Sequence, residues 1–204
     1  MSRTVDAQLL HALVTLARDS IHGALDLAHA ALPPELPPAL TAPGAAFVTL
    51  TTERRLRGCI GTLEAWRPLG EDVCANARAA ALSDPRFAPL CTAELATTLV
   101  EVSVLQPATP LVFDDEAALL AQLRPGVDGL TVHWNGRRAT YLPGVWAQLH
   151  DPAQFVATLR RKADIPAGVP VQALVFERYT TLGSPRIPLA PARGVPPPRA
   201  APRR

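Results

Sequence analysis

The segment Leu56-Arg57-Gly58-Cys59-Ile60-Gly61 sets a guanidinium and a thiol two residues apart, with a glycine between them and a second glycine after. These residue types suit a β-strand, in which side chains alternate and each residue advances about 3.3 Å. Arg57 and Cys59 then share one face, their Cα atoms roughly 6.6 Å apart. Leu56, Gly58 and Ile60 take the other. A neighbouring cation favours the thiolate, so Cys59 is a candidate nucleophile or redox thiol with Arg57 as its support. Gly58 and Gly61 carry no side-chain bulk, which lets a ligand or a second backbone segment come close.

Each residue also has a plainer meaning. Free cysteine is among the most buried residue types, and Cys59 is equally a small strand residue. Cysteine catalysis needs a positioned base, and none of the five histidines lies in the motif. His133, on a hairpin, is either a partner for Cys59 or, as its place suggests more simply, a solvated strand histidine. Arg57 and Arg86 suit an anionic ligand, since a planar guanidinium fits phosphate or carboxylate. Equally, they suit a structural ion pair with Glu101 or Glu64. Asn76 either reads a ligand or caps a neighbouring loop. Cys74, Cys91, Trp66 and Trp134 are expected as buried or interface residues. The chain has no Gly-rich phosphate loop followed by Lys-Ser/Thr and no metal-spaced cluster, so no metal or cofactor is expected.

These residues need elements to hold them. Apolar residues recur at helical spacing from about Val5 to Ala31, and Leu32-Pro33-Pro34 stops the run. Phe47 to Thr51 alternates as a strand. The turn Thr52 to Arg55 makes a hairpin of it and the Cys59 strand. Pro68 opens a helix with Glu71 and Asp72 in its first turn, and Ser83-Asp84-Pro85 closes it. Leu99 to Gln106 is a strand with Val100, Val102 and Val104 on a buried face. Asn135-Gly136 joins Leu130–Trp134 to Arg137–Leu142 as a tight hairpin. Asp151-Pro152-Ala153-Gln154 resembles a capping box that opens a helix. Val171 to Tyr179 forms the last strand.

Composition sets the frame. The chain has 204 residues, 48% of them hydrophobic, and a formal net charge of only +2. That suits one compact domain over residues 1–183. Residues 184–204 differ, with seven prolines, five arginines and no acidic residue. Removing those five charges leaves the remainder at 2 − 5 = −3. A basic tail, flexible after Arg193, is expected there, and it could meet nucleic acid by charge attraction. Three cysteines without paired spacing argue against a disulfide framework. Neither a signal segment nor a membrane-length apolar run is evident, so a cytoplasmic location is expected.

Taken in order, several segments resemble the AMME chromosomal region (AMMECR) protein family. They are Phe47–Leu50, Leu56–Gly61, Arg67-Pro68-Leu69 with Asp72-Val73, Asn76-Ala77, Asp84-Pro85-Arg86-Phe87, and Glu101–Leu105. Gly129-Leu130, Ala139–Pro143 and Leu159–Ala163 follow. The resemblance runs from about Val5 to Leu182. It implies an α+β fold: a mostly antiparallel sheet flanked by helices, in a larger and a smaller lobe with a cleft between. It carries no established activity. It implies association with Memo-like and radical-SAM proteins, and binding of a nucleotide, nucleic acid or peptide. The resulting expectation is a binding module for a small anionic ligand, with Arg57, Gly58, Gly61, Asn76 and Arg86 as its contacts. The alternatives are an enzyme using Cys59 and a nucleic-acid binder using the tail. Where the family has Gln or Glu before Val145, this chain has Gly144. Asp164 stands where the family has glycine.

Overall fold

Leu13, Val14, Ala17 and Ile21 are fully buried along one side of the first helix, α1 (Ala7–Ala24), as the apolar spacing requires. The computed structural model describes residues 7–27 and 38–190. The helix stops at Ala24, short of the expected Ala31. Asp26 turns left-handed, with φ 55°, and the Leu27 N–H closes back onto the His22 carbonyl at 2.9 Å. This C-terminal lock ends a helix even where apolar spacing continues. The expected residues past Leu27 lie outside the described ones.

In chain order the further elements are α2 (Pro38–Thr41), β1 (Ala46–Thr52), β2 (Arg55–Gly61), α3 (Leu69–Leu82) and β3 (Thr98–Leu105). Then come β4 (Thr109–Pro110), α4 (Glu116–Ala121), β5 (Gly129–Trp134), β6 (Arg137–Tyr141) and α5 (Pro152–Lys162). Strands β7 (Val175–Tyr179), β8 (Thr181–Gly183) and β9 (Ile187–Pro188) complete the order. The fold is α+β with antiparallel sheets and flanking helices. It divides into two compact units, one of the described residues through Leu105 together with those from Leu182, the other of Gln106–Thr181.

The first unit holds a sheet ordered β2-β1-β3-β8, with β9 also paired to β3. Val48 and Leu50 of β1 and Val100, Val102 and Val104 of β3 form its buried face, as their alternation predicts. Helices α1 and α3 cover that face, contributing Leu13, Val14, Ile21, Val73, Ala77 and Ala80 to one core. The β1–β2 hairpin turns on Glu53 and Arg54, both left-handed at φ 49° and 65°. Residues 184–190, the start of the Pro/Arg-rich segment, belong to this packing. The Ser184 N–H donates to the Val102 carbonyl at 2.8 Å, and Leu189 is fully buried.

The second unit holds the sheet β4-β7-β5-β6. Its hairpin turns on Asn135 and Gly136 at φ 46° and 77°, as the dipeptide requires. The Asp151 side chain accepts the Ala153 N–H at the start of α5. Trp146 stacks on Phe155 with ring centres 3.8 Å apart in the core. The expected strand Val171–Tyr179 is shorter, because Val171–Ala173 form a single 3₁₀ turn after Pro170. Two short strands follow it. Trp66, expected in a core or interface, is 68% exposed. Trp146 is the tryptophan that fills a core.

Candidate functional site

Strand β2 lies at the edge of its sheet, and one extra residue interrupts its pairing. Leu50 faces Gly58 while Thr51 faces Leu56, so Arg57 is a bulge with no partner on β1. Cys59 pairs with Thr49, and Thr49 with Glu101 on β3. These three side chains therefore share the sheet face away from the helices. The Cys59 sulfur is half-buried there, 3.4 Å from the Thr49 hydroxyl.

An edge strand leaves backbone donors and acceptors unpaired, and proteins block such edges. At Cys59 the block is Asp84-Pro85-Arg86. The Cys59 N–H donates to Asp84 Oδ2 at 2.9 Å, and its carbonyl accepts from Arg86 Nη2 at 3.0 Å. Asp84 and Arg86 are in turn locked together, Nε to Oδ1 at 2.9 Å and Nη2 to Oδ2 at 2.7 Å. The two most diagnostic sequence motifs are thus one physical unit, in which the second substitutes for a missing strand. The Arg86 pair holds the Asp84 carboxyl well below the usual carboxylate range; the Cys59 N–H adds to this and burial opposes it. Arg86 is held above its ordinary value chiefly by Asp84, with the Cys59 sulfur a smaller contributor. The cation held against Cys59 is therefore Arg86, through its bond to the Cys59 carbonyl. The expected support from Arg57 does not form.

The bulge commits Arg57 elsewhere. Its Nε donates to Glu94 Oε1 at 2.6 Å, and its Nη2 donates to Glu94 Oε2 at 3.0 Å and to the Ala88 carbonyl at 2.9 Å. This two-pronged pair raises the arginine and lowers Glu94 to about 2, with the Cys91 N–H helping the carboxylate. The expected partners Glu101 and Glu64 are not used. Glu101 instead pairs with Arg186 at 2.6 Å. Arg57 Nη1 remains buried with no hydrogen-bond partner among the described residues. The Phe87 ring joins the two arginines into one cluster, with the Arg57 guanidinium 5.9 Å and the Arg86 guanidinium 5.5 Å from its centre.

The remaining expected contacts have internal duties. A Cβ on Gly58 would stand 2.2 Å from the Ala80 carbonyl oxygen, so this glycine lets the backbone of α3 approach β2. One on Gly61 would stand 2.3 Å from the Phe47 ring. Asn76 is buried on α3, its amide donating to the Ala46 carbonyl at 3.0 Å and to Asp72 Oδ2 at 2.9 Å. Asp72, fully buried, also accepts from the Ala46 N–H, the Thr62 hydroxyl and Arg67. Asn76 therefore ties α3 to β1 and does not reach the Cys59 face. His133 pairs with Glu177 at 3.0 Å in the second unit. Cys74 is buried, but Cys91, expected to be buried, is exposed. It precedes a 3₁₀ turn, Thr92–Glu94, that aims Glu94 at Arg57. Sequence reasoning missed Glu94. Its signal was a carboxylate three residues after Cys91, spaced to fold back on the turn's start. Among the described residues no group of three or more His, Cys, Asp or Glu is placed to hold a metal ion. No helix among them is long and apolar enough to cross a membrane.

An antiparallel sheet carrying Leu56–Gly61 on its edge, clamped by Asp84–Phe87, defines the class of this protein. The AMMECR1 family pattern matches residues 14–182, and the chain belongs to that family. A relative from Thermofilum pendens is 36% identical over 165 residues, covering 75% of this chain and 78% of its own length. One from Methanothermobacter thermautotrophicus is 39% identical over 136 residues, covering 66% and 71%. The crystal structure of an uncharacterized protein from Pyrococcus horikoshii has the same fold. It superposes with a TM-score of 0.76 at 28% identity, over 90% of this chain and 97% of that one.

Proposed function

We propose that this protein is a binding module whose ligand sits at the Arg57–Phe87–Arg86 cluster beside Cys59. The orphaned Arg57 Nη1 carries the reading. A buried guanidinium N–H without an acceptor costs about 1–3 kcal/mol, and a ligand oxygen that reaches it on a local shift of the cluster removes that cost. Two carboxylates already balance the two arginines, so the ligand is small and at most singly charged at the point of contact: a carboxylate, the base edge of a nucleotide or a peptide C-terminus. Polyphosphates are disfavoured. A peptide added as a further strand is blocked at Cys59 by the Asp84–Arg86 clamp. The module serves a partner enzyme, for which the family resemblance suggests Memo-like or radical-SAM proteins.

The test uses the full chain with Cys74→Ser and Cys91→Ser, so that Cys59 is the sole thiol. Ligands of these classes, and a Memo-like partner, should slow Cys59 alkylation and raise the melting temperature. A panel in which none does either would refute the reading. A second reading, Cys59 as nucleophile or redox thiol, is favoured by the Arg86 guanidinium held on the Cys59 carbonyl at 3.0 Å. Alkylation against pH decides it: an apparent pKa at or above the free value of about 8.5 rules it out. Nucleic-acid binding by the basic tail rests on residues outside the described ones, and deletion after Arg193 tests it.

A further inference from the structure

On the helix layer, across the sheet from Cys59, α1 and α3 leave a groove of about 350 Å³. That volume lies in the range of small-ligand sites. Leu16 of α1 and Cys74 and Ala75 of α3 give it an apolar lining, and Arg67 and Arg78 stand along it with Glu71. Neither arginine is loose. Arg67 is fixed through its Nε to the fully buried Asp72 at 2.8 Å, and its guanidinium lies 4.6 Å from the centre of the Trp66 ring. Arg78 is fixed through Nη1 to the Ser20 hydroxyl at 2.8 Å, and that hydroxyl donates to the Cys74 carbonyl at 3.1 Å. Each guanidinium thus spends one nitrogen on its anchor and keeps others to offer.

We propose that this groove binds a small monocarboxylic acid, its carboxylate on the arginines and its apolar body against Leu16, Cys74 and Ala75. The charge balance selects the class. Asp72 neutralises Arg67, whereas Arg78 is anchored on the neutral Ser20 hydroxyl and keeps its charge, so the groove suits one negative charge better than the two of a phosphate monoester. A guanidinium held in advance loses little freedom on meeting a carboxylate. The apolar lining supplies the rest of the affinity, in proportion to the surface covered. The volume admits ligands of the size of benzoate or hexanoate. The site is independent of the Cys59 cluster and does not depend on the function proposed for it.

The experiment titrates the full chain with benzoate, hexanoate, benzamide and inorganic phosphate, by calorimetry and by Trp66 fluorescence, with Trp66→Phe as the optical control. Either acid should bind, benzamide should not, and phosphate should bind more weakly than the acids. Arg78→Gln, a change at an exposed side chain, should weaken the acid about tenfold, the loss of one charge-assisted hydrogen bond. Ala75→Leu should abolish binding by filling the groove. Neither acid binding up to about 10 mM, benzamide binding as well as benzoate, or an unchanged affinity in Arg78→Gln would each overturn the proposal. If Ala75→Leu does not fold, the Arg78→Gln and benzamide comparisons still decide it.

Discussion

Gly58→Ala isolates one contact on which the Cys59 strand depends. The added Cβ would lie 2.2 Å from the Ala80 carbonyl oxygen, against an ordinary contact of 3.4 Å or more. Strand and helix must separate by the difference, 3.4 − 2.2 = 1.2 Å. The obstacle is helix backbone, which cannot rotate aside as a side chain can. Nor can α3 slide freely, because Asp72 and Asn76 bind it to β1 and Val73 and Ala77 are fully buried in the core. Overpacking of this kind costs about 3 kcal/mol, at the upper end of its usual range. Gly58 has no left-handed backbone to lose, so alanine recovers about 0.5–1 kcal/mol through the unfolded chain. The net loss is about 2 kcal/mol, or roughly 4–8 °C in melting temperature for a chain of this size. Urea unfolding read by circular dichroism measures it, with Gly144→Ala as control because a Cβ there meets nothing within 4 Å. A Gly58→Ala protein as stable as the control would refute the steric account and return the glycine to a ligand-access role.

Three further outcomes follow from the same geometry. Glu94 has its carboxyl lowered from 4.5 to about 2 by Arg57, so its contribution is complete above pH 4.5 and disappears as pH falls toward 2. Water still reaches this carboxylate, so Glu94→Gln should lose about 1–2 kcal/mol at pH 7 and nothing at pH 2; equal losses at both pH values in urea titrations would contradict the assignment. Asp84→Ala leaves the Cys59 N–H without an acceptor and Arg86 without its carboxylate, costs about 2–3 kcal/mol and opens the edge of β2; sedimentation velocity should show self-association, and a monomer of unchanged stability would remove the clamp. Trp146→Ala should cost about 3–5 kcal/mol and Trp66→Ala under about 0.5 kcal/mol, since one ring is buried and the other exposed; comparable losses in thermal unfolding would count against that placement.

Features whose causes lie within a few residues were legible in the sequence. Alternation in Val100-Glu101-Val102-Ser103-Val104 assigned the buried face of β3. Asn135-Gly136 set its hairpin, and Asp151-Pro152 opened α5. The family motifs identified the fold. Tertiary structure alone decided the geometry of the candidate site, because its partners are distant in the chain: Glu94 stands 37 residues from Arg57, and Asp84 stands 25 from Cys59. One bulged residue removed Arg57 from the regular alternation that strand periodicity assumes, and Arg86 took its expected place beside Cys59. Asn76 and Trp66 illustrate the same limit, since a polar residue sits inside and a large aromatic outside. Which side chain is buried depends on what packs over it, and no local spacing records that. The thiol, the two arginines and the glycines were legible as a motif; the closed edge, and the single Arg57 nitrogen left without a partner among the described residues, exist only once α3 and the Asp84–Phe87 loop fold against β2.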